Sequence, residues 1–221
     1  MITIHTLASG SEGNAALVCA GDVHILVDAG ISARRIETAL RSLNRLPQAL
    51  SAVFITHTHS DHTAGLRVLL KHTGAPVFAS PAVCAALLRQ IPGSASLLRP
   101  LCPGDAQAFG SLTVTAFATS HDTPGSMDYR FDCGGASAGI LTDTGYVTPE
   151  AEAALAGVEL LRDQVEHGLD AHILHIAAHF SNLVKVSERV VVRHTAGDAL
   201  VRTLSLLRRD QRNEVVVELG K

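Results

Sequence analysis

The sequence predicts an α/β fold: two mixed β-sheets packed face to face with helices outside, a four-layer αββα sandwich. Three observations lead there. Short apolar, β-branched runs punctuated by Gly, Asp, Ser or Pro recur through the first two thirds of the 221 residues. The early runs follow one another as neighbours and the later ones alternate with helical stretches, the order expected of a sheet sandwich covered by helices. A chain of this length with 47% hydrophobic residues can bury a sizeable core as one domain, residues 1–221.

In chain order, strands are expected at residues 2–7, 16–19, 24–27, 52–55, 76–79, 112–118, 127–131 and 138–142. A helix is expected at 32–43, where Ile36, Ala39, Leu40 and Leu43 form one stripe opposite Arg34, Arg35, Glu37 and Arg41. Another is expected at 64–71. Ser80-Pro81 and Thr148-Pro149 each read as an N-cap followed by proline at the first helical position. In the last third, 173–178, 185–192 and 214–218 read as strands. Residues 198–209 carry helical spacing at Leu200, Val201, Leu204 and Leu207.

No window approaches the roughly 18 unbroken apolar residues of a membrane span. Met1 to Leu7 alternates like a strand and lacks the basic start and long apolar centre of a signal peptide, so a cytoplasmic protein is expected. The four cysteines (Cys19, Cys84, Cys102, Cys133) lack Cys-x-x-Cys spacing and fit reduced thiols. A formal charge of -3 argues against a bulk electrostatic grip on nucleic acid but leaves room for a local one. Arg202, Arg208, Arg209 and Arg212 could face a polyanion, although such residues more often form a solvated helix face.

The chemistry concentrates in residues 57 to 62, His-Thr-His-Ser-Asp-His, directly after the apolar run Ala52-Val53-Phe54-Ile55. Four metal-capable side chains in six residues behind a buried strand point to a site for divalent ions such as zinc, which imidazole and carboxylate bind well. On an extended loop, His57 and His59 project to one side and can share an ion. Asp61 and His62 begin the next turn and can hold a second. The competing reading is a His-rich surface loop.

This hexapeptide is the His-x-His-x-Asp-His signature, and the chain resembles the metallo-β-lactamase fold superfamily. A strand ending in Asp-x-Gly precedes the signature in that family, as Val27-Asp28-Ala29-Gly30 does here. A lone His, a lone Asp and a final His follow, and His121, Asp143 and His179 stand in those places. The opening Leu7-Ala8-Ser9-Gly10-Ser11-Glu12-Gly13-Asn14 and the stretch from Thr142 to Val147 look like the YycJ/WalJ group of bacterial nucleases. From residue 160 on, the sequence departs from that group, whose substrate-contacting residues there do not carry over.

The resemblance implies two divalent metal ions, zinc foremost, with manganese or iron as alternatives. It places His57, His59 and His121 on the first ion, Asp61, His62 and His179 on the second, and Asp143 between them. His167, His172, His175 and His194 crowd the last position and remain alternatives to His179. A water between the ions would have its pKa lowered toward about 7, giving a hydroxide that Asp61 orients. Asp28 is read as orienting the His loop by hydrogen bonds, against the alternative of a simple turn aspartate. The expected activity is hydrolysis of a phosphodiester, DNA or RNA, by a nuclease. A β-lactam or lactone hydrolase is the alternative, and a metal-stabilised domain without turnover is the third reading.

Overall fold

Alternation along the strands decides which layer each side chain joins. The computed structural model describes residues 1–164, 191–194 and 202–205. Its first sheet runs in sequence order through β1 (Thr3–Ala8), β2 (Ala15–Ala20), β3 (Val23–Val27), β4 (Ala52–Phe54), β5 (Val77–Ala79) and β6 (Leu98–Pro100). β1 to β3 are antiparallel neighbours, whereas β3 to β6 are parallel. The second sheet, in spatial order, contains β11 (Leu160–Gln164), β10 (Ala136–Thr142), β9 (Met127–Cys133), β8 (Leu112–Ala118) and β7 (Ala106–Phe109). Only its β10–β11 pair is parallel.

Ala16, Val18, Ile25, Val27, Ala52 and Phe54 point from the first sheet toward the second. There they meet Leu112, Val114, Met127, Tyr129, Phe131 and Ile140. The intervening Leu17, Leu26, Val53 and Ile55 pack instead with Ile36 and Leu40 of α1 (Ala33–Ser42), Leu66 and Leu69 of α3 (Leu66–Leu69), and Val83 and Leu87 of α4 (Pro81–Gln90). On the far side, Phe117 and Leu141 pack with Ala151 and Leu155 of α5 (Pro149–Leu155). The result is the αββα sandwich. Phe54 anchors its centre, stacked on Phe78 and edge-on to Tyr129, both with ring centroids 4.9 Å apart. Such pairs contribute about 0.5–1.5 kcal/mol each beyond the buried area.

Both cap signals hold: the Ser80 hydroxyl accepts from Val83 N–H and that of Thr148 from Ala151 N–H. Ser32 caps α1 in the same way, accepting from Arg35 N–H. Other expectations need correction. The helix expected at 64–71 begins earlier, as α2 (Ser60–Thr63), and resumes as α3 after Gly65, because the chain enters a turn inside the His motif itself. The helix expected at 198–209 is contradicted where that segment is described. Arg202–Ser205 is a strand, β13, antiparallel to β12 (Val191–His194). Its Arg-Thr-Leu-Ser alternation suits a strand, and the flanking leucines imitate helical spacing. The strands expected at 173–178 and 214–218 lie outside the described residues, as does most of 185–192. Strands β6, β7 and β11 were not anticipated. No helix among the described residues is long and apolar enough to cross a membrane.

Candidate metal centre

Three strand ends converge. β4 leads through Ile55 and Thr56 to His57, β8 leads to His121, and β10 ends one residue before Asp143. The two sheets are tied together at this point, since Met127 N–H, at the start of β9, donates to Thr56 O at 3.1 Å. The glycines make the approach close. A Cβ on Gly30 would run into the backbone of Asp61 and Asn14, so that loop and α2 could not meet with any other residue there.

Two groups of donors result. His59 Nδ1 lies 3.2 Å from both His57 Nε2 and His121 Nε2, and the three rings could hold one ion. His57, His62 and Asp143 form a second group, all buried. Asp143 Oδ2 is 2.5 Å from His62 Nε2 and 3.5 Å from His57 Nε2. Despite this proximity, neither Asp143 oxygen accepts a well-formed hydrogen bond among the described residues. A buried carboxylate left this way is costly unless a cation faces it, a part that the protonated His62 ring plays here and that a metal ion could take over. The donor set fits divalent metal, and the fold family implies such ions.

Asp61 lies outside both groups. Its Oδ2 is 3.4 Å from His62 Nε2 and accepts from the Asn14 amide at 3.2 Å. Asn14 is itself fixed, because its Oδ1 accepts from Gly10 N–H at 3.0 Å. Asp28 sits beneath the hexapeptide. Its Oδ1 accepts from Thr56 N–H at 2.9 Å, and its Oδ2 is 2.7 Å from His62 Nδ1. Thr56 Oγ1 adds a 3.0 Å contact to His57 Nδ1. His179, His167, His172 and His175 lie outside the described residues, and His194 ends β12.

Several contributors carried no signal of their own in the sequence. Thr123 Oγ1 stands 3.2 Å from His59 Nε2. Asp128, fully buried, accepts from Thr142 N–H at 2.7 Å, just before Asp143. Ser120, just before His121, accepts Tyr146 N–H and lies 2.9 Å from the Thr144 hydroxyl. The one available hint was position, since Ser120 and Thr123 lie within two residues of His121, and Asp128 offered none.

Charge is divided unequally among the rings. Burial, reinforced by the nearby His62, lowers the His57 pKa to about 3, so His57 is neutral at pH 7. Burial also opposes charge on His62, but the carboxylates of Asp28, Asp143 and Asp61 outweigh it and push the pKa up to about 12. His62 is therefore cationic, its proton standing where a metal charge would be. Burial likewise works against ionised Asp61, yet the hydrogen bond and charge of His62 hold its carboxyl below the usual range. Burial drives Asp128 well above it.

The sequence profile described as "Beta-lactamase superfamily domain" matches residues 24–189. Exodeoxyribonuclease WalJ of Streptococcus pneumoniae serotype 2 is 36% identical over 147 residues, 64% of this chain and 54% of that protein. Exodeoxyribonuclease YycJ of Bacillus anthracis is 32% identical over 167 residues, 74% of this chain and 62% of that protein. The chain thus aligns with little more than half the length of these relatives. Among solved structures, a diphosphatase from the PhnP family superposes with a TM-score of 0.65 at 19% identity, over 87% of this chain and 86% of that one. That likeness shows the shared fold.

Proposed function

This chain belongs to the beta-lactamase superfamily, and from that premise we propose that it is a dinuclear metal-dependent hydrolase of phosphodiesters, a nuclease acting on DNA. The observation that carries the reading is the Asp143 carboxylate. It is buried, without a well-formed hydrogen bond, and placed against His57 and His62 together. A carboxylate in that position suits a bridge between two cations. His57, His59 and His121 would hold one. Asp61, His62 and His179 would hold the other, and zinc suits this donor set.

Divalent ions bound there would supply charge neutralisation on the attacking and leaving oxygens of a phosphodiester and lower the pKa of a water toward about 7. The remaining tasks fall to the chain. Asp61, ionised at neutral pH and steadied by Asn14, accepts a hydrogen bond from the attacking water and aims it. Asp28 holds His62 Nδ1, which turns Nε2 toward Asp143 and the ions that would lie beside it. Thr56 and Thr123 fix the rings of His57 and His59. The names of the two bacterial relatives support DNA as substrate.

The test compares bis-p-nitrophenyl phosphate and short DNA and RNA strands with a chromogenic cephalosporin, using chelator-stripped protein as control. Metal-dependent cleavage of the phosphodiesters is expected. Turnover of the cephalosporin alone would transfer the site to lactam hydrolysis. Failure of fully metallated protein on every substrate would leave a metal-stabilised domain without turnover.

A further inference from the structure

Tyr146 is the one aromatic ring among the described residues that stands well out in solvent, at 65% exposure. The chain has only two Tyr, six Phe and no Trp. Tyr129, Phe54, Phe78, Phe117 and Phe131 are buried, and Phe109 packs against the same core. A single exposed apolar residue is ordinary and carries nothing alone.

The way its backbone is fastened sets Tyr146 apart. Ser120 Oγ accepts the Tyr146 N–H at 2.9 Å and donates to the Tyr146 carbonyl at 2.6 Å. Thr144 Oγ1 lies 2.6 Å from the same carbonyl oxygen, and Gly145 N–H donates to Ser120 O at 2.7 Å. Ser120 precedes His121 and Thr144 follows Asp143. The ring is therefore presented to solvent from a support pinned to two of the strand ends that build the metal centre.

We propose that Tyr146 is a stacking platform for an unpaired nucleobase beside the phosphodiester to be cleaved. This rests on the nuclease reading and narrows it to strands with a single-stranded end. Charge favours it. At a net -3 the chain has little bulk attraction for a polyanion. Arg130, on the strand between those leading to His121 and Asp143, is committed to Asp132 and to the carbonyls of Ala154 and Ala156. Where a basic field is weak, base–aromatic stacking supplies affinity without sequence preference.

The metallated protein is titrated by fluorescence anisotropy with a cleavage-resistant phosphorothioate DNA strand, and with the same strand made abasic at either terminus. Wild type should bind the intact strand about tenfold more tightly than one of the abasic strands, the scale of one lost stack. Tyr146→Ala should lose that discrimination while keeping its metal content, and Tyr146→Phe should retain it. An RNA strand of the same sequence separates base stacking, which it keeps, from recognition of the sugar. Undiminished discrimination in Tyr146→Ala overturns the proposal, as does loss of metal from that variant, which would make the residue a support of the loop. If wild type cleaves DNA without distinguishing the strands, the stacking role alone has failed. If it neither binds nor cleaves any strand, the nuclease reading has failed with it.

Discussion

Asp28 Oδ2 stands 2.7 Å from His62 Nδ1 while Asp28 Oδ1 accepts the N–H of Thr56. One buried carboxylate thus fixes both ends of the hexapeptide, the residue before His57 and the ring of His62. Asp28 reaches this position with a left-handed backbone, φ 62°, a conformation that costs a non-glycine residue on the order of 1 kcal/mol or more. The device recurs in the second sheet. Asp128 holds the N–H of Thr142, and the next residue, Asp143, has φ 47°. In both places a Thr pinned by a buried Asp precedes a candidate metal donor.

Asp28→Asn should weaken metal binding by about ten- to a hundredfold, the usual scale for losing the hydrogen-bond partner of a ligating imidazole. Asparagine can still accept from Thr56 N–H, so the fold should survive. It no longer enforces a proton on His62 Nδ1. Competition against a chromogenic chelator reads the affinity, and an unchanged value would refute the orienting role.

His59→Ala should lose one ion per chain and reduce phosphodiester turnover by several orders of magnitude. The His59 side chain is 43% exposed, so the change opens no core cavity, and the stability of the metal-free chain should move by only about 0.5 kcal/mol. Elemental analysis finding undiminished metal would sink the assignment.

Asp143→Asn keeps the shape of the side chain but removes the charge facing His57 and His62. The variant should hold at most one ion tightly. Calorimetric titration that still resolves two sites of wild-type affinity would exclude a bridging carboxylate.

Metal uptake should release protons at neutral pH. The metal-free His62 pKa is raised to about 12 from an ordinary 6.5. The stability this confers is complete below about pH 6.5 and fades as pH climbs toward 12. An ion using Nε2 must displace the proton, so apparent affinity should rise by up to tenfold per pH unit above neutrality, one proton per His62. Calorimetry in buffers of different ionisation enthalpy measures it. Zero proton release at pH 7 would contradict a charged His62.

Asp128→Ala would strand the buried Thr142 N–H, costing about 1–3 kcal/mol in urea denaturation. It should also loosen metal binding through Asp143. Asp128→Asn, which can still accept from that N–H, should recover most of both. Equal metal affinity in a folded Asp128→Ala protein would show that Asp143 is positioned without it.

Much of the sandwich was legible because its inner strands carry near-continuous apolar runs, and the cap residues Ser80 and Thr148 mark helix starts chemically. The edge strands β6 and β7 were hidden. Leu98-Arg99-Pro100 is short and ends in proline, and Ala106–Phe109 is half exposed, so neither has the apolar content of a strand. The hexapeptide stood out because its donors are contiguous. Asp128 did not. In Met127-Asp128-Tyr129 alternation assigns it to the face away from the inter-sheet core, which reads as solvent, whereas here that side is closed and Thr142 supplies the partner. Asn14 lies 47 positions from Asp61, a separation that no local pattern bridges.

His59 and His121 meet across 62 positions of chain, one following a strand of each sheet. The centre therefore cannot exist in a half-assembled molecule, and whatever free energy an ion contributes on binding is conferred on the docking of the sheets. A bound ion would then be a rivet as well as a reagent. A cell short of the ion would lose more than catalysis, because the unriveted polypeptide opens more often and is cleared sooner by proteases. Metal supply would set how long each copy lasts.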